Sequence, residues 1–296
     1  MRAFLGLFAL LFSLPAFALN VFACEPEWAS LAQELGGDKV SAFSATTAKQ
    51  DPHRIEARPS LIARIRSADL VICSGSELEI GWLPLLFTQS GNARIQPGTP
   101  GFLEASKLVS RLEVPSSVDR SLGDIHPAGN PHVHLDPRNV ARVGEEVTAR
   151  LAQIDPANAG FYRERAADFA KRWQAAMRGW EQRKAKLKGV PVVVYHKDLT
   201  YFLNWTGMRE AGTLEPKPGI PPSPAHLAEL VERMKASPAK VIVYSAYNSP
   251  QAAEFLAART GIPATMLPYT VGGSERAKDL FGLFDDTLDR LAKVTQ

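Results

Sequence analysis

Residues 190–196 read Val-Pro-Val-Val-Val-Tyr-His, and the fold follows from how that run is read. A short, continuous, β-branched run bounded by Gly189 on one side and a histidine on the other has the length and composition of a buried strand. Similar runs recur along the chain. In the first half they are Asn20–Cys24, Val40–Ser44, Asp69–Cys73 and, more weakly marked, Lys107–Arg111. In the second half they are Val190–Tyr195, Met208–Leu214, Lys240–Ser245 and Ala264–Leu267. Helix-like segments separate them almost throughout, which predicts α/β architecture with parallel sheets covered by helices. Four strands in each half predict two similar lobes, each a four-stranded parallel sheet, although no internal sequence repeat proves a duplication.

Between the halves lies the most helical stretch. Asp155-Pro156 supplies an N-cap and a proline for the first turn, and Gly189 follows the last periodic residue. Phe169, Trp173, Ala176, Trp180 and Leu187 recur within it at helical spacings. One helix of roughly thirty residues would run about 45 Å, too long for a single crossover and suited to a rigid strut between lobes. Two helices broken near Gly179 are the alternative. The predicted layout is therefore a leader over 1–18, a first lobe over 19–154, a connecting helix over 155–188 and a second lobe over 189–296.

The 296 residues are enough for two cores, and 45% hydrophobic with 22% charged residues is a globular composition. A net charge of +3 without a basic, aromatic-studded run argues against a nucleic-acid partner. Arg2, the apolar run Ala3–Leu14 and Pro15-Ala16-Phe17-Ala18 have the form of a secretory leader cut after Ala18. The run is short for a membrane span; cleavage before Cys24, as in a lipoprotein, is a second reading. Export would place Cys24 and Cys73 in an oxidising compartment. Both close strand-like runs, so a bridge forms if those strands are parallel neighbours; otherwise they are two buried thiols.

Chemistry falls to the six histidines, His53, His126, His132, His134, His196 and His226. His53 follows the run Val40–Ser44 and His196 follows Val190–Tyr195. Ligands of parallel α/β sheets bind at such carboxyl ends, here once in each lobe. His132 and His134 stand in Asn130-Pro131-His132-Val133-His134, just before a helix capped by Asp136 and opened by Pro137. Three imidazoles from three loops, with a carboxylate or water in fourth place, suit tetrahedral zinc. Copper and nickel also accept such nitrogen ligands, while calcium and magnesium want oxygen. His126 has no strand-end position and reads as an accessory or delivery group. His226, after Pro216, Pro218, Pro221, Pro222 and Pro224, reads as exposed.

These motifs carry a resemblance. Asp51-Pro52-His53, then Glu56-Ala57-Arg58-Pro59-Ser60 and Ala68-Asp69-Leu70-Val71 with Cys73-Ser74-Gly75, resemble the substrate-binding proteins of zinc and manganese ABC importers. Asn130-Pro131-His132 is similar to that family's second ligand motif and Val194-Tyr195-His196 to its third, in the same order across nearly the whole mature chain. The resemblance implies His53, His132 and His196 as ligands, with His134 an alternative to His132. A histidine at the third motif is similar to the zinc branch, which implies Zn2+ ahead of Mn2+. It also implies a monomer in the periplasm, an importer permease and its ATPase as partners, and a place for a periplasmic metal chaperone.

The chain departs from the family at the fourth ligand. Where an aspartate usually precedes a paired glycine, this sequence has Leu267-Pro268-Tyr269-Thr270-Val271-Gly272-Gly273. Asp279 is the expected substitute, with Glu275 nearby, and Glu79 or water as alternatives. The long loop rich in histidine and acid found in many zinc importers is absent. Two other functions remain on the sequence: a secreted zinc hydrolase, which lacks H-E-x-x-H and G-x-S-x-G here, and a two-lobed binder of an iron chelate, which would not need strand-end histidines in both lobes.

Overall fold

The computed structural model describes residues 18–119, 121 and 123–295. The expected leader lies outside them, apart from Ala18. Strands β1 (Leu19–Ala23), β2 (Val40–Ser44), β3 (Leu70–Cys73) and β4 (Phe102–Glu104) form one parallel sheet in the order β2-β1-β3-β4. Strands β5 (Pro191–Val194), β6 (Arg209–Thr213), β7 (Val241–Ser245) and β8 (Ala264–Leu267) form a second in the order β6-β5-β7-β8. The two orders are the same pattern: the chain starts centrally, adds one strand to one side, then winds out on the other. In such a sheet the crevice lies at the strands' carboxyl ends, where the winding reverses. All four residues of β3 are buried, as are Val192, Val193 and Val194 of β5, which is why these strands read as unbroken apolar runs.

One strand falls elsewhere than expected. β4 is Phe102–Glu104, paired with Val71–Cys73, and Lys107 lies in a 3-10 turn over Ala105–Leu108. Gly101 decides the register, because a Cβ there would meet the Arg94 carbonyl oxygen at 2.4 Å and that of Asp69 at 2.9 Å. The chain can therefore enter the sheet beside β3 only at a residue without a side chain.

Four helices begin on proline: α1 (Pro26–Gly36), α2 (Pro59–Arg66), α4 (Pro137–Ile154) and α7 (Pro224–Ala236). The proline has the right φ, and the amide it lacks would have no partner in the first turn. The Asp136 carboxylate caps α4 by accepting from the Arg138 amide, and the Ser223 hydroxyl caps α7 through the His226 amide. The shorter α3 (Leu83–Ser90), α6 (Thr200–Thr206) and α8 (Gln251–Thr260) complete the lobes with α9 (Leu280–Thr295).

The connecting helix α5 is continuous over Ala159–Lys184, 26 residues, with 3-10 turns over Pro156–Asn158 and Ala185–Leu187 at its ends. Asp155 and Pro156 thus open the flanking turn rather than the α-helix itself. Gly179 does not break it. An exposed helical glycine costs about 1 kcal/mol relative to alanine, while burying one large apolar side chain returns about 1.5–3 kcal/mol. Phe169, Trp173 and Trp180 are all buried on this helix, against Phe281 and Phe284 of α9. The Trp173 indole N–H donates to the Pro137 carbonyl at 2.9 Å, which fixes α5 to the start of α4. That packing joins the inner faces of both sheets into one core, from Val21 and Ile72 through Trp173 to Val194 and Val243. Each lobe adds a separate outer cluster, one around Phe22, Leu61 and Trp82, the other around Val193, Leu230 and Ile242. The lobes therefore share a core rather than hinging on a free strut. No helix among the described residues is long and apolar enough to cross a membrane.

Candidate metal centre

Each sequence-predicted histidine loop is held from both sides. In the loop after β2 the Asp51 carboxylate accepts from the His53 amide at 3.0 Å and from His53 Nδ1 at 2.7 Å. Trp82 ties that loop to the lobe by donating to the Pro52 carbonyl at 3.0 Å. His196 stands two residues past the end of β5, and its Nδ1 donates to Glu215, just beyond β6, at 2.7 Å. The His132 amide donates to the Asn130 side-chain oxygen at 3.0 Å. Asn130 in turn donates to the Lys197 carbonyl at 2.7 Å, and its own carbonyl accepts from the Tyr201 hydroxyl at 2.9 Å. A loop from the first half of the chain is thereby fastened to the second lobe, beside His196.

These anchors bring His53, His132 and His196 together, with one ring nitrogen from each within 4.8 Å of the others. The ring centres lie 5.4 to 5.6 Å apart. Nδ1 is engaged in all three: with Asp51 in His53, with Glu215 in His196, and with the Tyr269 hydroxyl at 2.9 Å in His132. That leaves Nε2 to face the crevice, and His132 Nε2 is buried with no hydrogen-bond partner among the described residues. The carboxylates behind His53 and His196 fix the tautomer of those rings and make them better ligands, while the Tyr269 hydroxyl, which can donate or accept, holds the His132 ring in place. Burial, then the neighbouring rings of His53 and His196, hold the His132 imidazole well below its ordinary pKa, so it is neutral and free to bind.

The other candidates stand elsewhere. His134 is buried, with Nδ1 3.0 Å from Glu27 and Nε2 donating to the Tyr269 carbonyl at 3.0 Å. Asp279 is exposed and caps α9, its carboxylate accepting from the Gly282 amide at 2.7 Å. Glu275 is exposed as well. Glu79 is buried beside Glu25 and accepts from the Gly75 amide at 3.2 Å. Desolvation lifts its carboxyl to about 7 against the pull of those hydrogen bonds. It lies near Cys24 and Cys73, whose sulfurs are joined in a disulfide across the ends of β1 and β3 and so are not free to ligate. His226 is half-buried rather than exposed, with Nε2 donating to the Thr213 carbonyl at 2.9 Å.

Sequence reading missed Glu215 and Tyr269, which hold two of the three rings. Their signal is only a polar group at a strand end, Glu215 just after β6 and Tyr269 just after β8. Tyr269 has φ +64°, a left-handed backbone that costs a non-glycine residue about 1–2 kcal/mol. In that conformation its hydroxyl serves His132 while its carbonyl serves His134.

A family model described as the periplasmic component A of the zinc-uptake complex, ZnuA, matches residues 21–294. The chain belongs to that family. Among curated proteins it is 25% identical over 233 residues to the high-affinity zinc uptake system protein ZnuA of Bacillus subtilis, covering 77% of this chain and 71% of that protein. It is 22% identical over 237 residues to the zinc-binding lipoprotein AdcA of Streptococcus pneumoniae, of which it spans 46%. It is also 21% identical over 283 residues to the manganese ABC transporter substrate-binding lipoprotein PsaA of Streptococcus anginosus, 93% of this chain and 88% of that one. A crystal structure of ZnuA shares the fold with a TM-score of 0.78 at 21% identity, covering 94% of this chain and 100% of the other.

The charge around His196 sets a pH dependence. Burial works against its protonation, but the hydrogen bond to Glu215 and the charges of Asp198, Glu215 and Asp51 outweigh it and raise the pKa. A metal must displace that proton. Affinity should therefore fall as pH drops through the raised range, by up to about tenfold per pH unit for one displaced proton, and level off above it. Glu215→Gln should move the falling limb to lower pH and weaken binding by about 10–100-fold. Dissociation constants measured over a pH series for both proteins check this; a limb in the same place in both would rule out Glu215 as its cause.

Proposed function

We propose that the chain captures one divalent transition-metal ion in the periplasm, zinc in preference to manganese, and delivers it to the permease and ATPase of an ABC importer. One observation carries the reading: three imidazoles from loops of both lobes converge with Nδ1 tied back and Nε2 turned inward. Nitrogen donors favour zinc over manganese, which sits better among carboxylate and water oxygens. The names of the zinc-binding relatives ZnuA and AdcA support the same choice, and PsaA marks manganese as the competitor. Because α5 packs both lobes on one core, release at the importer would come from movement of the histidine loops rather than from wide opening of the lobes.

Hydrolysis draws no support from the geometry, since Glu79, the nominal general base, is committed to Gly75 and Glu25, and Asp279 to a helix cap. The test is a calorimetric titration of chelator-stripped protein with zinc, then with zinc against bound manganese. One zinc per chain that displaces manganese is the expected result. Manganese held against equimolar zinc would overturn the choice of metal, and no uptake of either would overturn the function.

A further inference from the structure

We propose that His126 is the fourth ligand of this site, so that the metal is held by imidazoles alone. This rests on the metal-binding reading above and adds a residue to it. His126 Nε2 lies 3.2 Å from His53 Nε2, and the two ring centres are 5.3 Å apart. His126 Nδ1 is 3.0 Å from the Ser76 carbonyl oxygen. A carbonyl can only accept, so that nitrogen carries the hydrogen and Nε2 presents a lone pair. The Asp51 carboxylate imposes the same tautomer on His53. Two lone pairs therefore face one another at 3.2 Å, an arrangement that needs a proton or a cation between them. Zinc–nitrogen bonds of about 2.0–2.1 Å in a tetrahedron set the donor atoms about 3.3–3.4 Å apart. The observed separation is close to one edge of that tetrahedron.

His126 lies outside the group whose ring nitrogens all fall within 4.8 Å of one another, so its ring must move inward to complete the figure. His126 and His132 ring centres are 6.5 Å apart, against 5.4 to 5.6 Å within the triad, so the His126 ring has a short distance to move inward. Its backbone is placed for that. The Asp124 amide donates to the Pro218 carbonyl at 2.8 Å, and Gly123, with φ +92°, passes so close that a Cβ would meet the Pro218 oxygen at 2.3 Å. On the other side the Gly129 amide donates to the His126 carbonyl at 2.9 Å. Of the acidic groups around the crevice, Asp51 and Glu215 hold Nδ1 atoms behind the rings, Asp198 accepts from Ser245 and Tyr247, and Asp124, which lines the crevice beside His126, faces the Arg54 guanidinium at 3.9 Å. A site of four imidazoles leaves no position for a reactive water and discriminates most strongly against ions that prefer oxygen.

The test compares wild type, His126→Ala and His126→Cys, each stripped and reloaded with zinc, by zinc K-edge X-ray absorption and by competitive titration. Wild type is expected to show four imidazoles. His126→Ala should show three imidazoles and one oxygen, with an affinity loss exceeding the about 10–100-fold typical of removing an outer hydrogen-bond partner, and weaker discrimination against manganese. His126→Cys should show one sulfur in the shell, a signature no purely structural role produces and one that stands even if the alanine variant folds poorly. Three imidazoles and an oxygen in wild type, or no sulfur at the metal in His126→Cys, would overturn the fourth ligand while leaving the three-histidine site intact. Failure of wild type to bind zinc would instead overturn the reading on which it rests.

Discussion

Replacing His53 and His196 together with alanine is expected to abolish zinc binding at micromolar concentrations while leaving the fold in place. Zinc held by four protein ligands is worth about 10–16 kcal/mol, or roughly 2.5–4 kcal/mol per ligand if evenly shared. Losing two removes about 5–8 kcal/mol, roughly 10⁴- to 10⁶-fold in affinity. The pair is informative because it takes one ligand from each lobe: His53 follows β2 and His196 follows β5. The metal-free variant should stay folded, since the apolar shared core is left whole, with a melting temperature lowered by the loss of the buried His196 ring and its bond to Glu215. What should vanish is the stabilisation by added zinc, which at a hundredfold excess over the dissociation constant amounts to about 2.7 kcal/mol in wild type. A double variant that still binds one zinc with wild-type affinity would rule out the crevice as the site.

Features written into consecutive residues were legible in the sequence. The strands around Val21, Val71 and Val193 are unbroken apolar runs because both faces of a parallel sheet are covered. His53 and His196 were readable as a pair because a strand end fixes where the next residues can point. For the cysteines the strand ends left a bridge and two buried thiols both open, and the pairing of β1 with β3 decides for the bridge. What escaped depends on contacts between distant residues. His132 and His134 are two apart on a tight turn, and both rings lie against Tyr269. The choice between them rests on Glu27 and Tyr269, more than a hundred residues away on either side, which stand against both ring nitrogens of His134 but only Nδ1 of His132. His126 lies on a segment without periodicity, and only the folded chain sets it against His53. Asp279 looked like a ligand because of its position near the end of the chain, yet the start of a helix is where an aspartate is most often used as a cap. The shared core was invisible because apolar periodicity on α5 says that a face is buried, not against how many neighbours.

Loss of the Cys24–Cys73 bridge is expected to cost about 4 kcal/mol of stability. The bridge spans 49 residues, and cross-linking a loop of about that size removes roughly 14 cal/mol/K of entropy from the unfolded chain. Paired substitution by alanine avoids leaving a lone reactive thiol, and both sites are fully buried, so the small volume lost should add a little to that cost. Denaturant titration should show the midpoint falling in the double variant, whereas wild type should resist reductant under native conditions because neither sulfur is accessible. The effect on metal binding should be smaller than the effect on stability. The bridge does reach the site, since Cys73 leads through Ser74 and Gly75 to Ser76, whose carbonyl holds His126. But Ser74 is also tied to Glu25 and to Trp28, and Gly75 to Glu79, so that turn keeps three anchors once the sulfurs are gone. His132 and His196 hang on other loops, and the His53 loop meets the bridge residues through the Thr46 hydroxyl, which donates to the Cys24 backbone carbonyl at 3.0 Å and keeps that acceptor when the side chain is replaced. Zinc affinity in the folded double variant should therefore stay within about tenfold of wild type, roughly 1.4 kcal/mol. A larger loss would mean that the ends of β1 and β3 position the ligands directly, and an unchanged denaturation midpoint would mean that the unfolded chain gains no freedom when the bridge is removed.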